Sequence, residues 1–233
     1  MNIKQKNEEP VRNAGVFGDS ILRGIQLDRE NKRYRVDNHI DLAEIGRKHS
    51  LVIDNFSMFG CTIRKGVSIL QKRLEKRKMD VAVIEYGGND CDFNWKEIAE
   101  HPGEKHEPHT PLNIFAAAYH QIIRALKEKY IVPVLTTLPP LEPQRFFDWF
   151  CGGLNKDNIL SWLGSINNIY RFQENYSRVI GKIAAETKSL LVDLRGAFLE
   201  HRRSEDLLCE DGIHPNTAGQ EVITGAFLNF QAV

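Results

Sequence analysis

The stretch VAVIEYGG at residues 81–88 is the feature that most constrains the fold. It is a nearly continuous apolar run that ends at two glycines, Gly87 and Gly88. A strand of this kind is buried on both faces, which is typical of a parallel sheet covered by helices on each side. Similar apolar runs predict further strands at residues 13–17, 51–57, 131–138 and 189–194. The sequence therefore predicts a sheet of five parallel strands.

Helical patterns separate these strands. Between the second and third strands, apolar residues recur at the spacing of one helical stripe, at Ile63, Val67, Leu70 and Leu74. Comparable patterns predict helices at residues 40–49, 115–126, 166–186 and 215–230. Three segments lack such a pattern, and we interpret residues 1–12 as a polar tail, 26–39 as a loop or small excursion and 92–111 as a loop. Alternating strands and helices predict a single three-layer α/β/α domain spanning residues 1–233.

The composition argues against several classes of protein. Lys plus Arg and Asp plus Glu each number 31, so no net charge attracts the chain to nucleic acid. No window approaches the roughly 18 apolar residues of a membrane span, and the N-terminus lacks the apolar segment of a secretory signal. The four cysteines are far apart and form no C-x-x-C pair, as expected of reduced thiols. We therefore expect a cytoplasmic protein without a nucleic-acid partner or a membrane span.

The tripeptide GDS follows the first predicted strand and ends at Ser20. A serine at such a turn is typical of a helix N-cap, a phosphate-binding turn or a nucleophile. In parallel sheets, ligands bind beyond the carboxyl ends of the strands. Gly60 follows the second strand, Asn89 follows the third, and Asp211 and His214 follow the fifth. We therefore expect all of these residues to meet at one edge of the sheet.

These residue types suit acyl transfer. Asp211 and His214 lie three positions apart in the turn DGIHPN. A carboxylate in this position bonds one imidazole nitrogen and fixes the tautomer, so the other nitrogen can take a proton from the hydroxyl of Ser20. The backbone N–H groups of Ser20 and Gly60 and the amide of Asn89 can donate to the developing oxyanion. One such donor is typically worth about 3–4 kcal/mol of transition-state stabilisation.

The segments around Ser20, around Gly60, around Asn89 and from Asp211 to His214 resemble the four sequence blocks of the SGNH (GDSL-type) hydrolase family. They occur in the family's order over most of the chain. The resemblance implies a flavodoxin-like sheet with strand order 2-1-3-4-5, and serine esterase chemistry without a metal or a cofactor. It implies that Ser20 is the nucleophile, His214 the base and Asp211 the residue that orients the base. Ser20, Gly60 and Asn89 would form the oxyanion hole. The family's substrates range over lipid esters, acylated sugars, thioesters and small acetyl esters.

The segment after the fourth strand, residues 139–164, is rich in aromatic residues. It either packs as core or caps the cleft, where it would shape the pocket for the acyl or the leaving group. Within it, Arg145, Phe147 and Trp149 are candidate substrate-binding residues, and Asp19 of the GDS turn is a fourth. Because the segment is short, we expect a modest pocket rather than a deep one.

Two further groups of residues have simpler interpretations. The stretch HPGEKHEPH at residues 101–109 contains three histidines and two glutamates, but it lacks the rigid element that metal ligands require. We therefore expect no metal site there. Cys61 and Cys91 lie close to Gly60 and Asn89 in sequence, and we expect them to be buried packing thiols rather than nucleophiles.

The sequence thus predicts a metal-independent serine esterase whose partner is a small-molecule ester, with a small or sugar-borne acyl group as the expected substrate. Two alternatives stay open. A lysophospholipase or thioesterase would use the aromatic segment to bind a longer acyl chain. A non-catalytic glycan- or acyl-binding module would keep the fold without the chemistry. The sequence gives no information about the oligomeric state.

Overall fold

The computed structural model describes residues 12–28 and 30–231, so the predicted polar tail lies outside the described residues except for Arg12. The strands are β1 (Arg12–Gly18), β2 (Ile25–Asp28), β3 (Arg33–Val36), β4 (Leu51–Asn55), β5 (Val81–Glu85), β6 (Val132–Thr136) and β7 (Leu190–Val192). The helices are α1 (Ser20–Arg23), α2 (Leu42–His49), α3 (Ile63–Leu74), α4 (Trp95–Glu100), α5 (Leu112–Glu128), α6 (Pro143–Phe150), α7 (Lys156–Leu163), α8 (Asn167–Thr187), α9 (Leu194–Leu199) and α10 (Thr217–Asn229). A 3-10 turn covers Ser204–Leu207.

Five of the strands form a parallel sheet in the spatial order β4-β1-β5-β6-β7. Numbered among themselves along the chain, these strands have the order 2-1-3-4-5. The predicted flavodoxin-like, three-layer α/β/α fold is therefore confirmed. Strand β5 lies at the centre of the sheet and is buried throughout, as its apolar sequence predicted.

Neighbouring residues of each central strand face opposite helical layers, because side chains alternate along a strand. Phe17 and Ile84 pack into the layer that contains α3, α5 and α8. Val16 and Val83 pack into the opposite layer, against α2, α9 and α10. Burial on both faces explains why the strands are continuously apolar, and it leaves the carboxyl edge of the sheet free for polar residues.

Two segments predicted as loops contain regular structure. Strands β2 and β3 pair as an antiparallel hairpin, with Leu27 opposite Tyr34. Alternating charged residues mask the apolar positions of this hairpin, which is the reason the sequence pattern missed it. The loop prediction for residues 92–111 is also wrong in part, because Asn94 caps the short helix α4 by accepting from the Glu97 N–H. A helix of six residues is too short to show a periodic pattern.

The aromatic segment at residues 139–164 folds into α6 and α7, and part of it packs as core. Phe146, Phe147 and Ile159 belong to a third apolar cluster, which also contains Trp95 of α4. This cluster lies beside the carboxyl edge of the sheet and supplies one wall of the cleft described below. No helix within the described residues is long and apolar enough to cross a membrane.

Candidate active site

Ser20 lies at the first turn of α1, directly after β1. The N-cap of this helix is Asp19, whose Oδ1 accepts from the Ile21 N–H at 2.9 Å. The interpretation of Ser20 as the N-cap is therefore wrong. Gly18 is needed before the turn because a Cβ there would lie 2.8 Å from a carboxylate oxygen of Glu85. Ser20 is consequently held at the carboxyl edge of the sheet with its hydroxyl available to the residues around it.

Ser20, His214 and Asp211 form one hydrogen-bonded series. The Ser20 Oγ lies 2.9 Å from His214 Nε2, and His214 Nδ1 lies 2.7 Å from Asp211 Oδ2. Asp211 Oδ1 also accepts from the backbone N–H groups of Ile213 and His214, each at 3.1 Å. The turn needs Gly212, which has a φ of +73° and where a Cβ would lie 2.6 Å from the Glu142 carbonyl oxygen.

Asp211 is fully buried, yet it remains the charged partner of the histidine. Burial raises the pKa of Asp211, but the hydrogen bonds from His214 and from two backbone N–H groups outweigh burial and lower the pKa below its ordinary value. A carboxylate at Nδ1 fixes the tautomer in which Nε2 can accept a proton. The series is therefore arranged for His214 to take the proton of Ser20.

Potential oxyanion donors surround the serine. Neither the Ser20 N–H nor the Gly60 N–H has an acceptor within residues 12–28 and 30–231. Gly60 has a φ of +66° in the turn after β4, and apart from its two chain neighbours no heavy atom of the described residues lies within 4 Å of the position that a Cβ would occupy. Asn89 donates one amide hydrogen to Asp19 Oδ2 at 3.0 Å. Because an amide nitrogen carries two hydrogens, the second hydrogen of Asn89 can serve an oxyanion.

A cavity of about 160 Å³ opens beside these groups. Ser20, Asn89 and His214 line its polar end. Its apolar walls come from the loop after β5, from α4, from the loop after β6, from α6 and from α8, and they include Phe93, Trp95, Leu138, Phe146, Ile169 and Phe172. Apart from the segment that forms α6, the sequence did not identify these residues as part of a binding cavity. Only the helical stripe of α8 gave a signal for any of them, since Ile169 and Phe172 belong to it.

Aromatic rings enclose His214 at the mouth of the cavity. The Tyr34 ring lies 4.8 Å from the His214 ring and 6.0 Å from the Trp149 ring, between centroids. Phe59 stacks on His214 at 6.1 Å. The Tyr34 hydroxyl lies near the side chains of Asp211 and Trp149. Burial and the Asp211 carboxylate raise the pKa of Tyr34 above its ordinary value, so this hydroxyl stays protonated and can donate to Asp211.

Three of the four residues predicted to bind substrate, Arg145, Phe147 and Trp149, do not line the cavity. Phe147 is 3% exposed and packs inside the third apolar cluster, while its neighbour Phe146 faces the cavity. Successive residues of a helix point about 100° apart, and sequence alone did not give the rotation of α6. Arg145 lines a separate surface cleft and donates to the Glu205 carbonyl at 2.9 Å. Asp19 lines the cavity, but it is 1% exposed and both its oxygens are already engaged.

Two further groups of candidate residues are the cysteines Cys61 and Cys91 and the histidine-rich segment at residues 101–109. Cys61 and Cys91 are buried, and burial raises the pKa of Cys61 to about 11 and that of Cys91 well above its ordinary value. Both thiols therefore stay protonated and suit packing. His109 Nδ1 lies 3.1 Å from the backbone carbonyl oxygen of Asn89. Within the described part of the chain, no group of three or more His, Cys, Asp or Glu residues is arranged to hold a metal ion.

Comparison with known proteins establishes the family of the chain. The chain belongs to the GDSL-like lipase/acylhydrolase family, whose family model matches residues 16–222. An acetylxylan esterase from Geobacillus stearothermophilus is 40% identical over 60 residues, which is 25% of this chain and 27% of that protein. The chain thus matches about a quarter of the length of that curated relative.

Solved structures share the fold over nearly the whole chain. A lipase/acylhydrolase from Enterococcus faecalis superposes with a TM-score of 0.66 at 18% identity, covering 93% of each chain. A catalytic mutant of Axe2, an acetylxylan esterase from Geobacillus stearothermophilus, superposes with a TM-score of 0.66 at 21% identity, covering 95% of this chain and 96% of that one. At such low identity, these structures establish the shared fold and no more.

Proposed function

We propose that the protein is a metal-independent serine esterase that cleaves a small-acyl or sugar-borne acetyl ester through an acyl-enzyme intermediate. The observation that carries this proposal is the hydrogen-bonded series from Asp211 through His214 to Ser20. Catalytic mutants of Axe2 replace a serine, and an aspartate and a histidine three positions apart, by alanine. The same residue types at the same spacing support these roles for Ser20, Asp211 and His214.

In the proposed reaction, the Ser20 Oγ attacks the ester carbonyl while His214 Nε2 takes the hydroxyl proton. The N–H groups of Ser20, Gly60 and Asn89 stabilise the oxyanion of the tetrahedral intermediate. His214 then gives its proton to the leaving alcohol, which departs and leaves an acyl ester on Ser20. Water, activated by His214, hydrolyses this ester and frees the acid. Asp211 stabilises the imidazolium that forms in each half of the cycle.

The size of the cavity supports a short acyl group. A cavity of about 150 Å³ lined by apolar residues holds a benzene ring, which has about six carbon atoms. The cavity beside Ser20 has a similar volume, about 160 Å³. It therefore suits an acetyl to hexanoyl group better than the acyl chain of a lysophospholipid. The name of the acetylxylan esterase relative also supports a sugar-borne acetyl ester.

The apolar lining of the cavity favours a second candidate substrate, an ester or thioester with a medium-length acyl chain. Leu138, Ile169 and Phe172 would contact such a chain, because each faces the cavity. Burying a methylene group is worth about 0.8 kcal/mol. This contribution would raise kcat/KM with chain length until the cavity is full. The two candidates therefore differ in the chain length at which activity is greatest.

The test is hydrolysis of p-nitrophenyl acetate, butyrate and octanoate, and of acetylated xylo-oligosaccharides, by the wild type and by Ser20→Ala. We expect Ser20→Ala to lose about 10⁶-fold in kcat while its circular dichroism spectrum is unchanged. The matched control is Ser68→Ala on the exposed face of α3, which should leave activity unchanged.

The outcomes separate the candidates. Serine-dependent turnover that is highest for acetyl esters supports the proposal, and turnover that is highest for octanoate favours the longer-chain hydrolase. Equal activity of Ser20→Ala and wild type would overturn the nucleophile assignment. Ester binding without any serine-dependent turnover would instead favour the non-catalytic module.

A further inference from the structure

Glu85 is a buried acid that the proposed reaction does not use. It ends the central strand β5 and is 0% exposed. Its Oε2 accepts from the Asp19 backbone N–H at 3.1 Å. Its Oε1 is buried without a hydrogen-bond partner in the described residues. Glu85 also lines the cavity beside Ser20, so an acidic side chain lies beneath the turn that carries the nucleophile.

The neighbour of Glu85 is a second buried carboxyl group, that of Asp19. Asp19 Oδ1 accepts from the Ile21 N–H at 2.9 Å, and Oδ2 accepts from the Asn89 amide at 3.0 Å. The Asp19 and Glu85 carboxyl groups are close enough to interact, and Glu85 Oε2 accepts from the Asp19 backbone N–H. Two adjacent buried carboxyl groups cannot both ionise at moderate cost, so the pair holds one proton.

The donors around the pair determine which group holds this proton. Asp19 accepts from an amide and from a backbone N–H, and His214 favours its charge, so Asp19 is the ionised member. Burial and the Asp19 carboxylate raise the pKa of Glu85 well above its ordinary value. These surroundings favour Glu85 as the protonated member of the pair.

We propose that Glu85 is a positioning residue for the oxyanion hole. This proposal rests on the proposed function of the site. The protonated Glu85 donates to Asp19, and Asp19 in turn fixes the Asn89 amide so that its second hydrogen points to the reacting carbonyl. Gly18 is part of this arrangement, because its missing Cβ leaves room for the Glu85 side chain. Glu85 does not touch the reacting atoms and acts only through Asp19.

This arrangement predicts a loss of activity at alkaline pH. When Glu85 loses its proton, two carboxylates face each other and Asp19 no longer holds Asn89 in place. Because the pKa of Glu85 is raised, the associated stabilisation is present below its ordinary pKa and is lost as the pH rises through the raised value. The other titratable groups that interact with the pair are Cys61, Tyr86, Asp90, Cys91, Tyr119 and His214.

The test compares Glu85→Gln with Glu85→Leu. Gln has the shape of the neutral acid and can donate to Asp19, but it cannot ionise. Leu has a similar volume and cannot donate. We expect Glu85→Leu to lose about 10²-fold in kcat on p-nitrophenyl acetate with little change in KM, since a misplaced oxyanion donor acts on the transition state. Glu85→Gln should restore most of this kcat and remove the alkaline decline seen in the wild type.

A second measurement does not depend on activity. The infrared difference spectrum between wild type and Glu85→Gln at neutral pH should contain the C=O stretch of a protonated carboxylic acid. Absence of this band, or a wild-type kcat in Glu85→Leu, would overturn the proposal for Glu85. If the band is present but the wild type has no Ser20-dependent turnover, the proposed function fails while the protonation of Glu85 stands.

Discussion

The turn that carries Asp211 and His214 and the wall of the cavity beside it are held by different kinds of contact. His214 bonds Asp211 three positions away, and Asp211 accepts from N–H groups of the same turn. The cavity wall joins distant parts of the chain, for example Phe93 and Phe172, whose rings lie 5.1 Å apart. The Asp211–His214 pair thus depends on a short local turn, whereas the shape of the cavity depends on how helices pack.

The largest expected effect tests the local turn. Asp211→Asn should lower kcat by about 10⁴-fold, because an amide favours the wrong histidine tautomer while keeping the shape of the turn. The measurement is steady-state hydrolysis of p-nitrophenyl acetate, with Asp206→Asn on the exposed 3-10 turn as the control. A loss below tenfold would show that His214 does not depend on Asp211.

The next prediction tests the cavity wall with two neighbouring phenylalanines. Phe146→Ala and Phe147→Ala should each reduce the free energy of unfolding by about 3–5 kcal/mol, because both side chains are buried. Of the two phenylalanines, only Phe146 faces the cavity. Phe146→Ala should therefore raise the ratio of octanoate to acetate hydrolysis, and Phe147→Ala should leave this ratio unchanged. Denaturant unfolding and chain-length profiles of both variants check this, and equal profiles would contradict the assigned rotation of α6.

A somewhat smaller effect is expected at Asn89, the proposed oxyanion donor. Asn89→Ala should lower kcat by about 10²- to 10³-fold with little change in KM, because the lost hydrogen bond forms mainly in the transition state. Asn229→Ala, on the exposed end of α10, is the matched control. If KM rises while kcat is retained, Asn89 binds the substrate in its ground state instead.

The smallest effect is expected where the two regions meet, at Tyr34. Tyr34→Phe keeps the ring against His214 and removes the hydroxyl, which can donate to Asp211. A hydrogen bond of this kind contributes about 0.5–1.5 kcal/mol, so kcat should fall about twofold to tenfold. Tyr130→Phe is the control, because Tyr130 is 95% exposed. A loss as large as that of Asp211→Asn would mean that the hairpin holds the carboxylate in place.

The sequence by itself predicted the parallel sheet and the residues that meet at its carboxyl edge. The family resemblance supplied the strand order. Continuous apolar runs such as that of β5 report burial on both faces, and a parallel sheet places the following turns at one edge. Ser20, Asp211 and His214 meet there because each follows a strand directly or lies within one short turn.

Only the tertiary structure decided which side chains face the cavity. Tyr34 belongs to a hairpin hidden by charged residues, Trp95 to a helix too short to show a period, and Phe146 rather than Phe147 faces the cavity. The proposed charge state of Glu85 likewise depends on its neighbour Asp19, 66 positions away in the chain. Helix rotation and the pairing of buried charges depend on contacts between distant residues, and local sequence patterns carry no record of those contacts.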